Sequence, residues 1–298
     1  MDLKIVGLNV PAEVGMALAE VSTPALIIEL DAFERNVKTM GAFIKDKGLR
    51  HRAHAKTHKS ADIALYQMQH GGACGICCQK VSEAEALVAG GIGDVLVTNQ
   101  VVDPKKIARL ARLADKARVL VCIDDLGNVD DLSKAATHHG VTIECLVEID
   151  CGAGRCGVQW RQPVLEIAMK IASSDGLTFS GVQAYQGAAQ HLRAYEDRKV
   201  GITAAVKQVA DTIKMLKQEN LECDIIGGAG TGSYYFEGTS GVYNEMQCGS
   251  YIFMDADYQR IKDEEGNFVS EFENSLFIWT SIMSKAKHDR AICDAGLK

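Results

Sequence analysis

Apolar residues along this chain fall into short runs, separated by stretches whose apolar positions recur at helical spacing. After Thr23-Pro24 the run Ala25-Leu26-Ile27-Ile28-Glu29-Leu30 predicts a first strand. Phe33, Val37, Met40, Phe43 and Ile44 then recur at helical intervals and predict a helix over 32–46, with Asp31 as its cap and Gly48 as its stop. From there an alternation sets in. Strands are predicted near 51–54, 74–78, 94–98, 119–123, 144–149, 179–185, 223–227 and 246–250. Helices are predicted over 60–69, 81–90, 104–115, 126–139, 162–173 and about 195–219. Eight strands with mostly helical crossovers match the count of a closed (β/α)8 TIM-type barrel. Near-continuous apolar runs fit parallel strands covered on both faces. An open doubly wound sheet is the alternative, and the regularity of the repeat favours closure.

Beyond about 255 the rhythm changes. Glu264-Glu265-Gly266-Asn267 reads as a turn, and 275–283 and 290–294 read as strands with no helix between them. The expected division is a barrel over 23–255 and the start of a β-rich second domain over 256–298. Residues 1–22 read as an irregular lead-in, and the strand within residues 1–30 can join the second domain. Two or three strands are too few for an independent domain. The second domain is therefore expected to be incomplete, in a chain shorter than the natural protein.

Composition narrows the function classes. Of 298 residues 47% are hydrophobic, ample for one large core. The net charge of -7 offers no basic face for nucleic acid, and no apolar run is long enough to span a bilayer, so no membrane association is expected. Met1-Asp2-Leu3-Lys4 opens no charged-then-apolar leader. Ten cysteines without export point to reduced thiols and a cytoplasmic protein. Cys74-Gly75-Ile76-Cys77-Cys78 contains a C-x-x-C but no second pair at zinc spacing, so it reads as a buried strand, with a redox dithiol as a minor alternative.

Candidate chemistry gathers at the predicted strand ends, where barrel enzymes build their sites. The first end carries His51-Arg52-Ala53-His54-Ala55-Lys56-Thr57-His58-Lys59. A lysine among cations has a depressed pKa, and a neutral amine is what a Schiff base needs, so Lys56 is the candidate nucleophile. Taken alone the run is more often a solvated basic loop. Further ends carry Gln79-Lys80, Thr98-Asn99, Asp124-Asp125, Asp150 with Arg155, Tyr185-Gln186-Gly187 with His191, Gly227 to Ser233, and Gly249-Ser250. Gly227-Gly228-Ala229-Gly230-Thr231-Gly232-Ser233 suits a phosphate cradle, because glycines let backbone N–H groups turn inward and the hydroxyls add donors. Its place after the seventh strand, with Gly249-Ser250 after the eighth, is the barrel's usual phosphate position. Gly152-Ala153-Gly154-Arg155-Cys156-Gly157 matches a dinucleotide fingerprint, but Trp160 and Pro163 prevent a helix from opening inside it, so it reads as a loop that positions Arg155. His138-His139 reads as a surface pair near a helix end. Asp255-Ala256-Asp257-Tyr258 reads as a structural link, with Tyr258 reaching back to the site. A lysine, a phosphate cradle, an arginine and a tyrosine together meet the needs of pyridoxal 5′-phosphate.

These residues resemble the D-threonine aldolase family. The resemblance rests on His54-Ala55-Lys56-Thr57-His58-Lys59, Gly75 to Glu83, Gly152 to Val158, Gly230-Thr231-Gly232-Ser233, Gln247-Cys248-Gly249-Ser250-Tyr251 and Phe253 to Tyr258, and runs from about Thr23 to Lys298. The family is of fold-type III, built like alanine racemase from a barrel and a β domain. Within it, Tyr185-Gln186-Gly187 and Ser233-Tyr234-Tyr235-Phe236-Glu237 resemble members that act on 3-hydroxy-D-aspartate. The resemblance implies retro-aldol cleavage of a small D-3-hydroxy amino acid, giving glycine and glyoxylate from 3-hydroxy-D-aspartate. It implies Lys56 as the covalent attachment point for pyridoxal 5′-phosphate. Gln79, Thr231, Gly232, Gly249, Ser250 and Tyr258 would contact that cofactor, Arg155 would sit near the ring oxygen and Tyr185 beside the ring. His191 would act as base on the β-hydroxyl with a divalent metal, Mg or Mn. The family's metal ligands, a His-x-Asp pair, would lie beyond Lys298, so no ligand is named. A homodimer follows by analogy. D-threonine cleavage, dehydration of D-serine or 3-hydroxyaspartate, a non-catalytic cofactor carrier and, from Gly152 to Gly157, a nicotinamide oxidoreductase are the competing readings.

Overall fold

In the computed structural model, which describes residues 5, 6, 8 and 10–296, the alternation closes into a barrel. Met1–Lys4, which carries the reading of no leader, and Leu297-Lys298 lie outside the described residues. The eight barrel strands are β2 (Arg50–His54), β3 (Gly75–Cys78), β4 (Asp94–Val97), β5 (Arg118–Ile123), β6 (Ile143–Glu148), β7 (Leu177–Ala184), β8 (Ile225–Gly228) and β9 (Glu245–Met246). Each pairs parallel with the next, and β9 returns to β2 through Arg50↔Glu245 and His51↔Met246. The crossovers are α2 (Ala61–Gly71), α3 (Val81–Ala89), α4 (Pro104–Leu113), α5 (Leu126–His139), α6 (Gln162–Ala172), α7 (Tyr195–Gln218) and α8 (Tyr234–Gly238). The five-residue α8 is the one crossover whose helix the apolar spacing did not announce. His138 and His139 sit in the last turn of α5, as expected of a surface pair.

Ahead of the barrel lie β1 (Ala25–Ile28) and α1 (Leu30–Lys47). Gly48, in the left-handed region at φ 64°, stops α1 as expected. The cap differs from the expectation: Glu29, not Asp31, accepts from Ala32 N–H at 2.6 Å, so the helix begins two residues earlier. The apolar face of α1 carries Phe33, Val37, Met40 and Ile44 into the layer between helices and strands. β1 stands outside the barrel and pairs antiparallel with β10 (Leu276–Trp279). The run 275–283 is two strands, not one: β11 (Ile282–Lys287) leaves β10 and pairs with β12 (Arg290–Cys293). Leu18–Glu20 forms a short 3-10 turn within the lead-in expected to be irregular.

The barrel interior is only partly apolar, which the near-continuous apolar runs did not suggest. A middle layer of Cys77, Leu96, Leu120, Cys122, Leu146 and Ile225 fills it. Below, at the N-terminal ends, Arg52 is fully buried and pairs with Glu245 at 2.9 Å and with Asp94. Arg118 extends the cluster to Asp94 at 3.1 Å and Glu144 at 2.6 Å. Above, at the C-terminal ends, the inward side chains are polar and belong to the site. All ten cysteines are free thiols. Cys77 and Cys78 are buried in β3, which suits the buried-strand reading, and burial pushes both thiols of the C-x-x-C, Cys74 and Cys77, up, which disfavours the thiolate a redox dithiol needs. No helix among the described residues is long and apolar enough to cross a membrane.

Candidate active site

Lys56 is placed by the end of β2 and a 3-10 turn over Ala55–Thr57. His54 Nδ1 accepts from Lys56 N–H at 3.3 Å, so its proton sits on Nε2, which donates to Thr98 Oγ1 at 3.2 Å. Thr98 in turn donates to Cys78 C=O at 3.0 Å. The chain of bonds is complete with a neutral imidazole, and burial followed by the Lys56 charge keeps it neutral. His58 accepts from Ser60 N–H at 3.1 Å and donates to Gln67 Oε1 at 3.1 Å; burial takes it down to about 4. His51 donates to Cys248 C=O at 3.2 Å and is likewise taken down to about 4 by burial. Lys59 swings out to pair with Glu83, which also accepts from Gln79 N–H at 2.9 Å. The expected cause of Lys56 activation is therefore corrected. Its ammonium is disfavoured first by burial and then by Arg155, while the neighbouring histidines are uncharged structural groups.

Arg155 reaches the same cavity from the loop after β6, as the Gly152 to Gly157 reading expected. Asp150 Oδ1 shapes that loop by accepting from Gly152 N–H at 3.1 Å and Gly154 N–H at 3.0 Å. Gly157, at φ 98°, packs where a Cβ would lie 2.5 Å from Asp150 N. No helix opens until Gln162, so no dinucleotide turn exists here. The Arg155 guanidinium lies 5.8 Å from the Tyr185 ring centre, and Lys56 Nζ lies 5.7 Å from it. Tyr185 is thus the aromatic wall between two cations, and burial pushes its hydroxyl up to about 12. Arg155 also donates to Glu148 Oε1 at 3.5 Å, while Gln100 donates to the other oxygen at 2.5 Å.

Two glycine turns face Lys56 from β8 and β9. After β8, Thr231 Oγ1 accepts from Tyr251 N–H at 2.9 Å, tying the two turns together. Gly249 packs where a Cβ would meet His54 O at 2.6 Å and Thr57 Oγ1 at 2.9 Å. The N–H groups of Gly230, Thr231, Gly249 and Ser250 have no acceptor among the described residues. Gly232 lies behind the turn; its N–H donates to Gln190 Oε1 at 3.0 Å. Tyr258 reaches back from the segment after the barrel to line the cavity.

Of the residues singled out from sequence, Lys56, Gln79, Arg155, Tyr185, Thr231, Gly249, Ser250 and Tyr258 line one cavity at the barrel mouth. Gly232 and His191 do not. His191 stands outside, its ring centre 5.6 Å from that of Tyr258 and its Nδ1 2.7 Å from Asp257 Oδ2. His54, Gln183 and Gln247 also line the cavity without having been named as contacts. Their signal was a polar residue within a predicted strand, near its C-terminal end at His54 and Gln183. The donor set fits pyridoxal 5′-phosphate: a half-buried amine, two glycine turns with free N–H groups, an arginine and an aromatic wall. It does not fit a metal. Among the described residues no group of three His, Cys, Asp or Glu could hold one.

The comparisons with known proteins agree with this geometry. The family profile described as alanine racemase, N-terminal domain, matches residues 28–257. The chain is 55% identical over 296 residues to a 3-hydroxy-D-aspartate aldolase of Paracoccus denitrificans (strain Pd 1222), covering 98% of this chain and 76% of the relative. It is 44% identical over 293 residues to a D-threonine aldolase of Arthrobacter sp, with 98% and 76% covered. The crystal structure of D-threonine aldolase from Filomicrobium marinum superposes with a TM-score of 0.92 at 49% identity, over 96% of this chain and 76% of that one. By sequence, by barrel topology and by the strand ends that build the cavity, this chain belongs to the alanine racemase N-terminal domain family.

Proposed function

We propose that this protein is a pyridoxal-phosphate-dependent carbon–carbon lyase that cleaves a D-3-hydroxy amino acid, with 3-hydroxy-D-aspartate giving glycine and glyoxylate. The observation that carries the reading is Lys56, a half-buried amine flanked by Arg155 and Tyr185 and faced by two glycine turns. Pyridoxal phosphate bound there would supply an aldehyde that takes amino groups covalently and a ring that accepts the electron pair left at Cα. Lys56 would hold the cofactor between turnovers, since burial brings the reactive neutral amine toward working pH. The N–H groups of Gly230, Thr231, Gly249 and Ser250 would take the phosphate. Arg155 would set a fixed positive charge beside the ring, and Tyr185 would pack against it. His191 would take the β-hydroxyl proton as the Cα–Cβ bond breaks and the aldehyde leaves. Lys56, the amine that lines the cavity, would return a proton to Cα.

The divalent metal implied by the resemblance has no ligand set among the described residues, and no step is assigned to it. The homodimer belongs to the same proposal, and a monomeric mass by sedimentation would remove it. So does the division at 255/256, with the β1/β10 and β11/β12 pairs counted to a second β-rich domain. Dehydration is the rival reading on this fold, and relatives named as dehydratases are distant in sequence.

The test is product analysis with D-threonine and with D-threo- and D-erythro-3-hydroxyaspartate, each with and without a chelator. Glycine with glyoxylate from a hydroxyaspartate supports the aldolase. Ammonia with an oxo acid makes the protein a dehydratase. Bound cofactor without either product leaves a carrier.

A further inference from the structure

We propose that Asp257 is a positioning residue for His191, holding its Nδ1–H so that the Nε2 lone pair is the one presented for proton transfer. The inference rests on the reading of His191 as the base. The contact is short, with Nδ1 2.7 Å from Asp257 Oδ2. The other Asp257 oxygen is held by the Arg193 guanidinium, whose Nη1 also donates to Asp257 C=O at 2.7 Å. Arg193 and then His191 hold the Asp257 carboxyl below its usual range, so it stays an ionised acceptor. An ionised carboxylate has no proton to donate, so a neutral imidazole nitrogen facing it must be the N–H, and the far nitrogen must carry the lone pair.

Both partners are anchored from below. Arg198 of α7 is buried, and it donates to Leu192 C=O and Arg193 C=O at 3.0 Å each and to Lys262 C=O at 2.6 Å. Lys262 N–H also donates to Arg193 C=O at 2.9 Å. On the other side, Asp255 Oδ1 accepts from Asp257 N–H and Tyr258 N–H at 2.8 Å each. Arg198 therefore ties the segment after His191 to Lys262, the partly exposed Arg193 guanidinium ties that segment to Asp257, and the His191 ring lies against Tyr258, which lines the cavity. The side chains of His191 and Asp257 are 60% and 45% exposed. An ion pair so exposed adds little stability. What the arrangement does supply is one tautomer and one ring orientation, the role a carboxylate plays behind a histidine base.

The test is nitrogen NMR on the full chain with 15N-labelled histidine, paired with steady-state kinetics, for the wild-type protein, Asp257→Asn and Asp257→Glu. The His191 signals are identified by their loss in His191→Gln. The wild-type protein should show Nδ1 protonated and Nε2 bare. Asp257→Asn, whose amide can donate, should move the proton to Nε2 and lower kcat about 10²–10³-fold with KM changed less than about threefold. Asp257→Glu should restore most of both. An unchanged tautomer in Asp257→Asn, or a shifted tautomer with unchanged kcat, overturns the proposal. A wild-type protein with the expected tautomer and no cleavage of any 3-hydroxy amino acid overturns the aldolase reading and leaves the Asp257–His191 assignment standing.

Discussion

Gln183 of β7 and Gln247 after β9 pair their amides in both directions, at 2.7 and 2.8 Å, beneath the cavity that holds Lys56. Both side chains are buried, and each satisfies the other, so together they form a rigid polar floor. β8 runs between their strands, and the pair closes because Gly227 has no side chain. A Cβ there would lie 2.6 Å from Gln247 Nε2 and 3.3 Å from Gln183 Oε1.

Gly227→Ala should therefore force the amides apart. The expected cost is about 1–3 kcal/mol of stability from overpacking. Urea denaturation reads the stability, and titration with pyridoxal phosphate should show weaker cofactor binding. A wild-type denaturation midpoint would mean that the floor yields without strain.

Lys56→Ala should keep the fold and lose the covalent cofactor absorbance. Turnover should fall about 10³-fold or more, as when a nucleophile is removed. Turnover near the wild-type level would remove Lys56 from its role.

Arg155→Met tests the smaller of the two causes acting on Lys56. The guanidinium disfavours a second cation nearby, so its loss lets the ammonium keep its proton to higher pH. In the cofactor-free protein, the rate of Lys56 acylation against pH should shift to higher pH. It should stay below an ordinary lysine, because burial remains. A shift to lower pH would contradict the assignment.

Glu237 is fully buried on α8, with one oxygen accepting from Ser233 Oγ at 2.8 Å and the other without a partner. Burial pushes its carboxyl up to about 8. A raised folded value means that the folded state holds the proton more tightly than the unfolded chain. Its contribution is present below about pH 4.5 and is lost progressively as pH rises to about 8. Glu237→Gln should remove that slope and leave the variant more stable than the wild-type protein above pH 8. Thermal melting across pH 5 to 9 checks it, and parallel curves for the two proteins would refute it.

Arg52→Met should destabilise by about 3–5 kcal/mol, because Glu245 and Asp94 would keep their charges inside the barrel without that partner. Denaturant titration gives the value. Arg52→Met with Glu245→Leu should recover part of the loss.

Much of the architecture was legible because it is local. The strand runs and helical spacings from 50 to 250 depend on neighbours a few residues apart, and the helices end near the glycines and begin near the Asp and Pro residues that the sequence displays, as Asp103-Pro104 does for α4. Lys56, Arg155, Tyr185 and the glycine turns were legible for a related reason, since a barrel places strand ends together whatever the side chains are. The Glu29 cap, the break between β10 and β11 and the short α8 were not, because Asp31, the apolar run at 275–283 and the glycines at 227–232 each allow another local reading.

What the sequence by itself determined is the order of elements, the closed barrel and the identity of the residues at its mouth. What only the tertiary structure decided is the state of those residues. The histidines at 51, 54 and 58 look like charge in the sequence and are neutral in the fold, because burial disfavours the charged imidazolium. Lys56 owes its depressed ammonium to enclosure and to Arg155, almost a hundred positions away in the chain. Arg52 with Glu245, Gln183 with Gln247 and His191 with Asp257 are pairs formed by closure, and a group's partner, unlike its spacing, exists only once the chain has brought distant segments into one low-dielectric interior.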